Sequence, residues 1–184
     1  TVAYPSSGAS YFHLLRRHAS TTNKRPLIVF TPKSMLRLKA AANSPEEFTS
    51  GKFQAVIDDT DVDASQVERV VLVSGKLYWE LKAKREKDND QKLALVRLEQ
   101  LYPLDEEAIT AVLDRFPADA EIVWAQEEPE NQGAWPFMAL HLPELLGGRE
   151  VKVISRAASA ATSTGLKHFH DAQQKELVDR IFSR

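Results

Sequence analysis

Two adjacent carboxylates, Glu127 and Glu128, stand where the apolar run Ile122-Val123-Trp124 gives way to the turn-forming Asn131-Gln132-Gly133 and a second tryptophan, Trp135. Neighbouring acids at a strand end are the residue types of an acid/base pair or a metal site. On extended backbone, however, successive side chains leave on opposite faces, whereas an acid/base pair must converge on one substrate. The structural reading is preferred: one carboxylate accepts backbone hydrogen bonds from a neighbouring loop, Pro129 and Asn131-Gln132-Gly133 set the turn, and Trp135 packs as an anchor.

The other reactive residue types form weaker constellations. Ser74-Gly75-Lys76 lacks the upstream glycine and the length of a phosphate-cradling loop, so it reads as a turn from strand into helix with Lys76 in solvent. His168 and His170 are two apart at a helix start, a spacing that suits a metal only on a strand. The serines and threonines of 155–165 include no nucleophile elbow and read as a loop with several caps. Arg16, Arg17, Lys24 and Arg25 form a basic group with two readings. Cations in the last turn of a helix are favoured by its dipole; alternatively Arg17 with Lys52 binds a phosphorylated ligand in a cleft between two parts of the chain.

These residues are positioned by a recognisable alternation. Strand-like runs occur at 27–30, 70–73, 93–96, 122–124 and 151–154. Four are almost continuously apolar, as parallel strands covered on both faces are; the last alternates, as an edge strand does. Helical patterns lie between them: 105–116, opening with three acids and stopping at Pro117; 76–87; and a last helix that groups Leu177, Val178, Ile181 and Phe182. The run "KAKREKDNDQK" is expected to be a solvated helix end and turn. Together these elements predict an α/β fold, an open, mostly parallel sheet with helices on both faces, spanning 67–184.

The first 60 residues follow another plan. A helix is expected over 11–19, one strand over 27–30, and a short helix from the capping box of Ser44, Pro45 and Glu47, carrying Phe53, Val56 and Ile57 inward. One strand and one helix enclose no core, so this part reads as the tail of a preceding domain followed by a connector that ends in the acidic "DDTDVDAS".

Composition narrows the function classes. The 24 basic and 26 acidic side chains leave a formal charge of −2, which offers no general field for nucleic acid or an anionic membrane. There is no cysteine, so disulfides, thiolate metal sites and a cysteine nucleophile are excluded, in keeping with a reducing cytosol. No run approaches the length of a membrane span. The start, Thr1 to Ser10, has neither a signal-peptide pattern nor an initiator methionine, and the expectation is a fragment.

Five stretches, "PSSGASYFHLLRRHA", "KRPLIVFTPKSMLR", "VVLVSGKLYWEL", "LALVRLEQLYPL" and "EEPENQGAWPF", together resemble, in order and across essentially the whole chain, the carboxyl-terminal end of the thiamine-diphosphate-dependent decarboxylating component of 2-oxoglutarate dehydrogenase. The look is that of the actinobacterial branch, which has 2-oxoglutarate decarboxylase activity and is often fused to a succinyltransferase domain. The resemblance implies that residues 1–37 end a pyrimidine-binding domain, 38–66 connect, and 67–184 form a transketolase-like carboxyl-terminal domain that supports a homodimer. It also implies a cytoplasmic enzyme with dihydrolipoyl succinyltransferase and its lipoyl domain as partners. The thiamine diphosphate and Mg²⁺ of such an enzyme are expected on residues outside this segment, so no catalytic residue carries over and the segment alone is expected to be inactive.

Residues 127, 128, 131, 132, 133 and 135 match the family signature at that loop, implying a structural or subunit-facing turn. The same resemblance implies an acetyl-CoA effector site at Thr1, Arg17, Lys52 and Gln100. Where relatives carry adjacent arginines after the proline of the "EQLxPL" motif, this chain has Glu106 and Glu107, and acids there oppose a polyphosphate. A stand-alone regulatory or assembly module, and the equivalent domain of another 2-oxo acid dehydrogenase or a transketolase, are the alternative readings.

Overall fold

The computed structural model describes residues 1–22 and 24–184. The chain opens with β1 (Val2–Ala3), α1 (Gly8–Ser20) and β2 (Ile28–Val29), then α2 (Pro45–Thr49) and β3 (Val56–Ile57). From there strand and helix alternate: β4 (Arg69–Val73), α3 (Leu77–Asp88), β5 (Leu93–Leu98), β6 (Gln100–Tyr102), α4 (Glu106–Leu113), β7 (Glu121–Pro129), α5 (Trp135–Leu145), β8 (Val151–Arg156) and α6 (Lys167–Phe182).

The main sheet runs β3-β5-β4-β7-β8. Its last four strands are parallel, with Leu72 standing between Val96 and Trp124. The apolar runs feed both faces by simple alternation. Val70, Leu72, Ala94, Val96, Ile122 and Trp124 pack on one side with Ile109 and Leu113 of α4 and Met138 and Leu142 of α5. Val71, Val73, Leu93, Leu95 and Ala125 pack on the other with Leu77 and Leu81 of α3 and Leu177 and Ile181 of α6. The expected α/β sheet with helices on both faces is therefore present, and β8 is one of its two edges, as expected, with β3 at the other.

Helix boundaries follow local chemistry. The side chain of Asp105 caps α4 by accepting from Ala108 N at 3.1 Å, and Asn89, in the left-handed region at φ 51°, closes α3. The capping box at Ser44 is present, but α2 ends after five residues. Phe53 and Val56 are buried as expected, yet not by a helix: Val56 and Ile57 form β3, antiparallel to Leu98 and Arg97. The β-branched pair satisfies the open backbone edge of β5, which a helix cannot do.

The first segment also holds more than one strand. β2, β1 and β6 form a three-stranded sheet, β1 parallel to β2 and antiparallel to β6. A small core of Ala3, Leu14, Phe53 and Ala55 fills the space beneath it. Nor is the "KAKREKDNDQK" run wholly solvated. Arg85 is 4% exposed and ion-paired with the equally buried Asp59, whose carboxylate also accepts from Leu95 N at 2.6 Å. The acidic connector is thereby pinned to β5 and α3.

Candidate functional site

The carboxyl ends of β4 and β7 open into a cavity of about 550 Å³. Its walls include Tyr4, Tyr102, Gln126, Glu127, Glu128 and Phe137, so the first segment and the loop after β7 meet there. Ligands of parallel α/β sheets gather at this end.

Gln126, 5% exposed, organises the loop. Its Oε1 accepts from Trp124 Nε1 and from the backbone N–H of Trp135, each at 2.9 Å. Its Nε2 donates to the carbonyls of Pro129 at 3.1 Å and Gln132 at 2.8 Å. Gly133 is needed at the closest approach: its φ is +65°, and a Cβ there would stand 3.0 Å from Glu128 Cβ and 3.1 Å from the Gln126 amide. Asn131 and Gln132 then tie the loop to Ser159, with Asn131 Nδ2 donating to the Ser159 carbonyl and Ser159 N donating back to Asn131 Oδ1, both at 3.0 Å. Trp135 packs as the first residue of α5.

Thus the turn is fixed by an amide, not by a carboxylate accepting backbone N–H groups as the sequence suggested. Glu127 instead forms an ion pair with Lys76, which is not free in solvent. A neutral amide can both donate and accept, and a buried turn needs both. Burial pushes the Glu127 carboxyl up, against the pull of Lys76, while Glu128 is exposed. Burial, with Glu127 and Glu128 adding to it, also pushes the Tyr4 hydroxyl up. Tyr4 lies against Gly75, where φ is +61° and an added Cβ would fall 2.1 Å from the ring. This arrangement presents an apolar pocket with an ion-paired carboxylate at its wall, and the two glutamates form no acid/base pair, since Glu127 is committed to Lys76.

Of the four residues expected at an effector site, two meet. The Arg17 guanidinium donates to Gln100 Oε1 and stacks over Phe53, 4.4 Å from the ring centroid; Gln100 Nε2 donates to the Pro103 carbonyl at 2.7 Å. Burial lowers the Arg17 pKa, opposed by the nearby Asp105. Thr1 precedes β1, its carbonyl accepting from Ile28 N at 2.8 Å, and β1 lies beside β6 with Ala3 opposite Gln100. Lys52 is exposed and faces a different cavity, whose walls include none of Thr1, Arg17 and Gln100. Glu106 and Glu107 are exposed in the first turn of α4. Arg16 donates to the Gly51 carbonyl at 2.7 Å. His168 and His170 lie in the first turn of α6, and among the described residues no group of three or more His, Cys, Asp or Glu stands close enough to hold a metal ion.

A residue that motif reading passed over is Glu99, fully buried. Its Oε2 accepts from Ser6 N at 2.8 Å and Ser10 Oγ at 2.6 Å, while Oε1 has no partner. Burial pushes this carboxyl up, against the hydrogen bonds of Ser10 and Ser6. The only sequence signal was an acid ending a strand.

Comparison with known proteins gives a consistent picture. The family described as 2-oxoglutarate dehydrogenase C-terminal matches residues 42–182. A Corynebacterium glutamicum protein named 2-oxoglutarate dehydrogenase E1/E2 component is 50% identical over 185 residues, covering 99% of this chain and 15% of that protein. A Mycobacterium sp. (strain KMS) protein named multifunctional 2-oxoglutarate metabolism enzyme is 47% identical over 190 residues, covering 100% of this chain and 15% of its own length. The chain thus spans about 15% of the length of these curated relatives.

Proposed function

Because the chain belongs to the 2-oxoglutarate dehydrogenase C-terminal family, we propose that it serves as the carboxyl-terminal segment of the decarboxylating part of a 2-oxoglutarate dehydrogenase of the actinobacterial kind. In that role the whole polypeptide decarboxylates 2-oxoglutarate and passes the succinyl group to a lipoyl group, as a cytoplasmic homodimer working with a succinyltransferase. Residues 67–184 act as the transketolase-like domain, 38–66 as connector and 1–37 as the end of a pyrimidine-binding domain. The observation that carries this reading is likeness along the full chain, at 47–50% identity, to proteins whose names state 2-oxoglutarate chemistry.

Thiamine diphosphate, when bound, supplies the carbanion-stabilising chemistry of such an enzyme. Cofactor binding is assigned to the rest of the polypeptide on the family resemblance, and the part played by this segment is support. Its rigid elements are the Gln126-centred turn and the Arg85–Asp59 pin. The test is to compare the whole polypeptide with one lacking this segment. Loss of the homodimer together with 2-oxoglutarate-dependent CO₂ release is expected; a truncated enzyme that remains dimeric and fully active refutes the role.

A second function is favoured by the Arg17–Gln100 contact: an acetyl-CoA effector site at Thr1, Arg17 and Gln100, without Lys52, which faces another cavity. Stacking on Phe53 holds the guanidinium in place. Calorimetry with acetyl-CoA should give binding at least about tenfold weaker for Arg17→Ala, the cost of a lost charge-assisted contact; equal affinity in both proteins removes the effector site.

A further inference from the structure

A second cavity, about 520 Å³, lies between α1, residues 50–54 and the face formed by α3 and β5. Its walls include Ser10, His13, Lys52, Tyr78, Lys82 and Arg97. Three of its lining side chains are basic, Lys52, Lys82 and Arg97, against one acid, Glu47. The Glu47 carboxylate is occupied by Ser44 N at 2.7 Å and Asn43 Nδ2 at 2.8 Å.

Arg97 sets the character of this space. Its guanidinium lies 4.4 Å over the Tyr78 ring, and its NH1 donates to Ser6 Oγ at 3.0 Å. Its Nε is buried without a partner, and among the described residues no carboxylate oxygen lies within 4.0 Å of it. Two acids feel its charge. Asp61 is already shared by Lys82 at 2.6 Å and Arg85 at 3.3 Å, and Glu99 is fully buried with its carboxyl pushed up. A half-buried cation held flat on an aromatic ring, with no carboxylate paired to it, has paid part of the ordering cost of binding an oxyanion before the anion arrives.

We propose that this cavity is a binding site for a small phosphate-bearing anion, with Arg97 as its main contact and Lys52 as supporting charge, Lys82 being paired with Asp61. The site is separate from the Arg17–Gln100 corner, neither residue of which lines it. A phosphate group suits it better than a carboxylate because several cations surround one space, and the phosphate carries more charge and more acceptor oxygens per unit volume.

The experiment is an NMR titration of the chain with inorganic pyrophosphate at low salt. Pyrophosphate should move the indole N–H signal of Trp79, which lines the cavity, and leave that of Trp135 in place. Arg97→Met should weaken binding at least about tenfold, as loss of a charged hydrogen-bond donor does, with Arg97→Lys intermediate. Tricarballylate, a tricarboxylate probe, should bind at least about tenfold more weakly than pyrophosphate. An unmoved Trp79 signal in the wild-type chain overturns the site whether or not the variants fold. Arg97→Met binding as tightly as wild type overturns the role of Arg97, and equal affinity for tricarballylate overturns the phosphate assignment.

Discussion

Two buried polar side chains decide how the carboxyl-end loops are held, and they differ in what they do with a proton. Gln126 makes hydrogen bonds from both ends of its amide; Gln126→Leu strands two donors and two carbonyls in a buried turn and should lower stability by about 3 kcal/mol in urea unfolding. Glu99 behaves differently because burial raises its pKa. Its folded state then holds a proton to higher pH than the unfolded chain, whose Glu titrates near about 4.3. From that pH upward the folded state binds more protons than the unfolded one, so the contribution of Glu99 to stability falls as pH rises through its folded value. Glu99→Gln should flatten that decline, and unfolding free energies measured from acid to neutral pH check it; an unchanged slope contradicts the assignment. Neither residue was visible as a site in the sequence, since a lone Gln or Glu ending an apolar run carries no spacing signal. The Glu127-Glu128 pair, which was visible, divides into an ion pair with Lys76 and an exposed acid.

Long, continuous apolar runs made the parallel strands legible, because burial on both faces leaves nothing to alternate. β1, β3 and β6 were not legible: at two or three residues each, they are too short to show a period and exist because a neighbouring strand edge needs partners. α5 was hidden for another reason. It carries prolines at 136 and 143, and its start is imposed by the Gln126 network rather than by a side-chain cap. Arg85 shows how a charged helical run can conceal a buried member, since the partner that neutralises it, Asp59, lies 26 residues away. The turn from β4 into α3 was legible in the sequence, and the structure adds why glycine stands in it: Gly75 combines a left-handed φ with the Tyr4 ring packed on it. Gly75→Ala should therefore cost at least about 2 kcal/mol, from backbone strain and overpacking together, and a thermal melt reads it directly.

At the scale of the molecule, two sheets share one chain crossing, where β5 leads into β6 and carries Arg97, Glu99 and Gln100. The proposed phosphate site and the proposed effector corner both border this crossing while remaining separate. The effector residues were named through family resemblance, whereas the cavity around Arg97 required the fold, because α1, α3 and β5 bring its walls together from three distant stretches. The central claim is that this segment supports a reaction centre built from other residues of a longer enzyme. Its most direct test is to incubate the purified 184-residue chain with 2-oxoglutarate, thiamine diphosphate and Mg²⁺ and to measure CO₂ release. Release no faster than in protein-free buffer is expected; sustained turnover that scales with the concentration of the chain contradicts the account.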